Sequence, residues 1–229
     1  MRLENKTIIV TGSGRGLGRY IAKRLGREGA NIVVTARTEE DIEKVSKEIN
    51  DEGGRAIFIS GDVTREDDVR KVINNTINEL GRVDVLINNA GIGLRKYLRE
   101  TRVEEFEEVM DVNVKGVFLY MKHVIPEMEK HGGLVVNISS GAGKTGIPVL
   151  SAYSASKFAV IGLTEAASRE VSKKIKIIAL CPGSIDIGMF NRMFPGERAY
   201  HKPEEIVERV ADICTHPEKY YPGQSIELY

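Results

Sequence analysis

The sequence predicts an α/β fold, a doubly wound parallel sheet with helices on both faces. Three observations point to it. Seven short apolar runs alternate with longer amphipathic stretches along the 229 residues. The runs are rich in β-branched residues and lack the polar alternation of a half-exposed strand, as strands covered on both faces do. The regular alternation calls for right-handed crossovers between parallel strands. About 100–200 residues per domain is usual. With no internal repeat, low-complexity tract or Pro/Gly/Ser-rich linker, one domain over residues 1–229 is the simplest division.

The predicted strands are residues 7–10, 31–35, 56–60, 83–88, 134–139, 175–180 and 225–228. The predicted helices are 18–28, 40–52, 66–80, 103–130, 154–171 and 203–214, the third led by a cap-like Thr64-Arg65-Glu66-Asp67. Ligands of such sheets bind beyond the carboxyl ends of the strands, so functional residues are expected just after strands.

Composition removes several classes. Lysines plus arginines equal aspartates plus glutamates, 33 each, which gives no support to a nucleic-acid partner. No apolar run approaches the ~20 residues of a membrane span. The charged N-terminus at residues 1–6 does not fit a signal peptide, so a cytoplasmic location is expected. Two cysteines, Cys181 and Cys214, exclude a disulfide scaffold and paired zinc motifs, and Cys181 in its apolar run reads as a buried thiol. His123, His131, His201 and His216 lack ligand spacing, so no metal is expected.

After the first strand comes Thr11-Gly12-Ser13-Gly14-Arg15-Gly16-Leu17-Gly18, and a helix follows. Glycines permit a tight turn and close backbone approach to a pyrophosphate, and the helix N-terminus supplies free N–H groups. In strand–turn–helix context this is a nucleotide signature; alone it is only a tight turn. An NAD site wants a carboxylate at the end of the second strand for the ribose 2′-hydroxyl. The sequence there is Val33-Val34-Thr35-Ala36-Arg37-Thr38, without one. Arg37 and Arg15 suit a 2′-phosphate instead, so NADP(H) is expected over NAD(H). Thr38 is placed either to help hold that phosphate or to cap the next helix. Asp62 and Val63 follow the third strand, where Asp62 either meets the adenine or makes a turn. Asn88-Asn89-Ala90-Gly91 follows the fourth strand and either supports the cofactor or braces the crevice.

Tyr153 and Lys157, four apart on a predicted helix, share one face. A nearby ammonium favours phenolate, so Lys157 is expected to lower the pKa of Tyr153 and make it an acid/base. Ser139 and Ser140 follow the fifth strand, where a hydroxyl would meet the reacting oxygen. Asn113 interrupts a helical run, either holding a water that leads to Lys157 or facing solvent.

Together these residues resemble the short-chain dehydrogenase/reductase family over nearly the whole chain, most closely at residues 6–183. Thr11-Gly12-x-x-x-Gly16-x-Gly18 looks like its cofactor loop, Asn88-Asn89-Ala90-Gly91 like its sheet-supporting motif, and Pro182-Gly183 like the turn beside the nicotinamide. Asn113, Ser140, Tyr153 and Lys157 match its catalytic tetrad, Ser140 over Ser139 by its spacing to the tyrosine. The resemblance implies a seven-stranded Rossmann-type fold, NAD(P) binding, no metal, and a homotetramer or homodimer. Its NADPH-linked basic positions match Arg15 and Arg37. One departure is Ile187, where members often carry a threonine that contacts the nicotinamide; backbone groups of Ile185 or Ile187 remain available for that contact. The second is the segment 188–201, short for a substrate lid, which predicts a fairly open site.

The leading expectation is a reductase of ketones or aldehydes, or an alcohol dehydrogenase, with a 3-oxoacyl thioester reductase as one variant. A sugar or alcohol dehydrogenase running oxidatively and a non-catalytic nucleotide sensor are the alternatives. Candidate substrate walls are residues 94–98, 141–150 and 188–195. Small residues on the helix after Tyr153 (Ala155, Ser156, Ala159, Gly162, Ala166) permit close packing of another helix, from the same chain or a second copy.

Overall fold

A computed structural model describes residues 3–228; Met1 and Arg2, part of the charged N-terminus noted above, lie outside it. The strands are β1 (Thr7–Thr11), β2 (Asn31–Thr35), β3 (Arg55–Phe58), β4 (Val85–Asn88), β5 (Gly133–Ile138), β6 (Ile175–Pro182) and β7 (Ser225–Leu228). They form one sheet in the order β3-β2-β1-β4-β5-β6-β7, and every pairing is parallel. The order reverses between β1 and β4, which opens a crevice beyond their carboxyl ends.

Among the described residues, eight α-helices connect the strands: α1 (Gly16–Arg27), α2 (Glu39–Asp51), α3 (Glu66–Leu80), α4 (Val103–Met110), α5 (Gly116–Met128), α6 (Ser151–Glu170), α7 (Gly188–Met193) and α8 (Pro203–Thr215). The sheet separates two cores. Ile8 and Val10 of β1 pack with α1, α2 and α8 on one face. Ile9 packs with α3 and α5 on the other. Successive side chains thus enter different apolar layers, which is why β1 reads as a continuous apolar run.

Three local expectations change. The predicted helix 103–130 is interrupted: α4 passes into α5 through a wide π-type turn at Asp111–Lys115. Thr64 does not cap α3; Arg65 stands at that position, and the Thr64 hydroxyl donates to Asp62 Oδ1 (2.8 Å). Thr38 occupies the N-cap position of α2 without a side-chain cap bond, the first turn carrying Glu39, Glu40 and Asp41 instead. These acids suit the positive end of the helix.

Candidate active site

One cleft of about 1180 Å³ lies at the switch point and runs from the glycine turn to α6 and α7. Its floor depends on absent side chains. Gly12 has φ +64°, and a β-carbon there would lie 2.8 Å from Ala90 Cα. Gly16 has φ +56° and opens α1, whose N-cap residue Arg15 makes no side-chain cap bond. The first N–H groups of α1 thus have no side-chain acceptor at the cap, the arrangement that favours an anion.

Gly12, Arg15, Gly16 and Leu17 line the cleft. Ser13 and Gly18 work beneath it. The Ser13 hydroxyl donates to Val10 O (2.6 Å) and accepts from Thr35 N (3.0 Å), tying the turn to β2. A β-carbon at Gly18 would press on Gly12 O and Asn89 Nδ2. Asn89 Nδ2 donates to Thr11 O (2.8 Å), and the Thr11 hydroxyl accepts from Asn89 N and Ala90 N, both 3.0 Å. The Asn89-Ala90-Gly91 segment both braces the glycine turn and lines the cleft.

At the far end Arg37, Thr38 and Val63 line the cleft. Asp62 does not. Its Oδ1 accepts from Thr64 N (2.9 Å) and the Thr64 hydroxyl, and its other oxygen lies 4.0 Å from Arg37. Of the two readings for Asp62, this geometry is that of the turn. A smaller side cavity joins it to Arg37, Glu104, Glu107, Glu108 and Asp111.

At the other end Ser140, Tyr153 and Lys157 share the wall. Lys157 Nζ donates to Ile138 O (2.9 Å) and stands 5.6 Å from the centroid of the Tyr153 ring. It is 5% exposed, and loss of hydration lowers its pKa to about 8. Tyr153 departs from expectation. Burial raises its pKa, and a hydrogen bond with Ser140 only partly offsets this. The expected lowering by Lys157 does not appear, because the ammonium is directed to Ile138 O while the phenol loses water.

Ser139 and Ser140 both line the cleft but differ in their hydrogen bonds. The Ser139 hydroxyl donates to Lys157 O (2.9 Å) and fixes α6 against β5. Ser140 Oγ accepts from Ala142 N (3.1 Å) and stays at the cleft. Asn113 is fully buried in the π-type turn and faces no solvent. Its Oδ1 accepts from Ile92 N (2.8 Å), and its Nδ2 donates to Ile92 O and Ser156 Oγ, both 2.9 Å. It ties the segment after β4 to α6 and positions the wall around Lys157.

Pro182, Gly183 and Ile185 line the cleft, with Gly183 N donating to Leu228 O (2.7 Å). Ile187 N is engaged by Ile185 O (2.8 Å). The short segment beyond still forms a helix, α7. A β-carbon on Gly93 would overlap the Met193 thioether, so this lid reaches across to the loop after β4. Gly93, Ile92 and Val112 line the cleft and were not singled out from the sequence; the glycine pair 91 and 93 was the available signal. The histidines meet single carboxylates that also take cations, such as His123 with Glu66 beside Lys122 and His216 with Asp212 beside Lys219, and no group of three or more metal-binding side chains gathers among the described residues. None of the helices among the described residues is long and apolar enough to cross a membrane.

Known proteins carry the same architecture. The short chain dehydrogenase family model matches residues 6–198. A Thermotoga maritima protein described as an uncharacterized oxidoreductase is 37% identical over 92% of this chain and 82% of its own length. A Staphylococcus epidermidis 3-oxoacyl-(acyl-carrier-protein) reductase is 35% identical over 98% of this chain and 97% of its own. Among solved structures, levodione reductase superposes with a TM-score of 0.92 at 28% identity, covering 98% of this chain and 96% of that one. A Brucella melitensis 3-ketoacyl-(acyl-carrier-protein) reductase complexed with NADH gives 0.89 at 29% identity, covering 98% and 97%. The family match extends across the glycine turn, the bracing asparagines and the Ser140–Tyr153–Lys157 wall alike, and by it this chain is a member of the short chain dehydrogenase family, an oxidoreductase.

Proposed function

We propose that the chain is an NADPH-dependent reductase of a ketone or aldehyde, with Tyr153 as the proton donor. The observation that carries this is the single cleft joining the glycine turn to Ser140, Tyr153 and Lys157. The residues fit a dinucleotide. A β-carbon at Gly12 would occupy the turn, α1 presents its N-terminus, and Arg15 and Arg37 flank the adenosine end, where the close of β2 carries no carboxylate. Bound there, the nicotinamide supplies or accepts the hydride.

The remaining chemistry belongs to the chain. The Tyr153 hydroxyl donates its proton to the carbonyl oxygen as that oxygen becomes an alkoxide. Ser140 gives the same oxygen a second hydrogen bond. The Lys157 ammonium offsets the charge left on the phenolate. Burial raises the pKa of Tyr153, so the phenol is in the protonated form that donates in the reductive direction. Tyr153→Phe should lower kcat by about 10²–10⁴-fold, the usual span of general acid–base catalysis. NADPH affinity, read by fluorescence titration, should stay intact; undiminished turnover in the variant would reverse the assignment. Arg37→Asp should shift preference towards NADH, and a wild type that prefers NADH would refute the cofactor choice.

A 3-oxoacyl thioester is favoured among substrates by the Staphylococcus epidermidis relative and the Brucella melitensis neighbour. A sensor without turnover would not need Tyr153 and Lys157 together. The proposal includes one catalytic domain over residues 1–229, supported by the single sheet. It also includes a cytoplasmic location, in keeping with two free, buried cysteines. A homotetramer or homodimer completes it, supported by exposed Phe106, Phe118 and Phe158 on α4, α5 and α6.

A further inference from the structure

The lid half of the cleft is apolar. Leu94, Ile147, Met189, Phe190 and Met193 line it. Two arginines interrupt that surface, and they are occupied differently. Arg95 holds the lid: its guanidinium lies 4.7 Å from the Phe194 ring centroid, donates to Met193 O (3.2 Å), and stands 3.8 Å from Glu197. Arg192 has no hydrogen-bond or ion-pair partner among the described residues, yet it lines the cleft. Its guanidinium folds back over Gly188, where a β-carbon would lie 3.3 Å from the nearer terminal nitrogen.

The carboxylates of the cleft are elsewhere. Asp41 packs beside Gly14, and Glu108 borders the side cavity with Arg37. Nothing acidic lines the lid half to neutralise Arg192. The glycine turn, the α1 N-terminus, Arg15 and Arg37 already provide for the cofactor's phosphates under the reductase reading. An unpaired planar cation at the edge of an apolar wall matches a ligand with an apolar arm and an anionic end.

We propose that Arg192 recognises an anionic group on the substrate, so that the preferred substrate is a ketone or aldehyde whose apolar arm ends in a carboxylate or phosphate. This rests on the reductase reading for the carbonyl, but the anion site can be tested without turnover. Calorimetry compares octanoate with octanamide, unreactive ligands of equal length. Arg192 is exposed, so octanoate should bind about two- to fivefold more tightly, as expected of a solvent-exposed charge-assisted contact. Added salt should shrink the difference. Arg192→Gln should erase it while leaving NADPH affinity, read by fluorescence, unchanged. In turnover, a ketone with a terminal carboxylate should exceed its methyl ester in kcat/KM by a similar factor, and Arg192→Gln should equalise them. Equal binding of octanoate and octanamide by the wild type overturns the proposal. So does an Arg192→Gln variant that loses NADPH affinity along with both ligands, since the arginine then serves the cofactor's phosphates. If neither ketone is reduced while octanoate is still selected, the reductase reading falls and the anion site stands.

Discussion

Lys157 is a buried ammonium whose main direct partner is a backbone carbonyl, Ile138 O. A neutral acceptor repays only part of the lost hydration, hence the pKa of about 8. Below that pH the folded protein bears the cost of a buried charge. Between about 8 and the unfolded value near 10.5, the unfolded chain holds more protons, so stability contributed by this site rises with pH. From pH 8 to 10 the gain should be on the order of 2 kcal/mol. Denaturant unfolding of the wild type and Lys157→Met across this range checks it: the increment should vanish in the variant, and parallel curves would remove the assignment. Tyr153 shifts the other way, its phenol favoured by burial. Reduction should therefore keep its proton donor throughout neutral pH. Oxidation, which needs phenolate, should accelerate as pH rises. Initial rates in both directions read this, and an oxidation rate already level at pH 7 would contradict the raised pKa.

The join between α4 and α5 shows what a single residue does for an element. Residues 103–130 read as one helix from sequence because the chain stays helical through the wide turn. The wide turn at Asp111–Lys115 turns Asn113 inward, where it makes three hydrogen bonds. Asn113→Ala leaves Ile92 N and O without these partners and should cost about 2–3 kcal/mol. Because Ile92 and Gly91 line the cleft beside Lys157, kcat should fall more than KM changes. Urea unfolding together with steady-state kinetics distinguishes this from a purely structural loss, which would lower stability and leave kcat per folded molecule unchanged. The asparagine was legible as a candidate; its inward direction was not, since direction depends on the π-type turn. The lid was similarly hidden. Residues 188–201 read as a short, open segment, but the approach of Met193 to Gly93 brings α7 against the loop after β4, far apart in sequence.

Over the whole molecule, the exposed aromatics raise a different question. Phe106, Phe118 and Phe158 are each more than two-fifths exposed, and Ala155, Gly162 and Ala166 leave the same helix open to close approach. Exposed aromatics on α4, α5 and α6 beside small residues on α6 are the surface we propose for association. Light scattering should give a dimer or tetramer, and Phe118→Asp should lower the mass while leaving the far-ultraviolet circular dichroism intact. A monomeric wild type would assign these helices to no assembly.

The order and character of the elements were already in the sequence, because strand and helix leave different hydrophobic periods and a parallel sheet buries both faces of each strand. The glycine turn, Arg37, Ser140, Tyr153 and Lys157 were identifiable for a related reason: each follows or faces the end of a predicted element, where such a sheet opens its crevice. Tertiary structure alone decided how these groups are solvated and which of them meet. It directed Lys157 to Ile138 O, raised rather than lowered the pKa of Tyr153, placed Asp62 in a turn and left Arg192 without a partner among the described residues. Hydration and ion pairing depend on what stands within a few ångströms in space, and Lys157 on α6 meets Ile138 O of β5, 19 positions away, only after the helix has packed on the sheet.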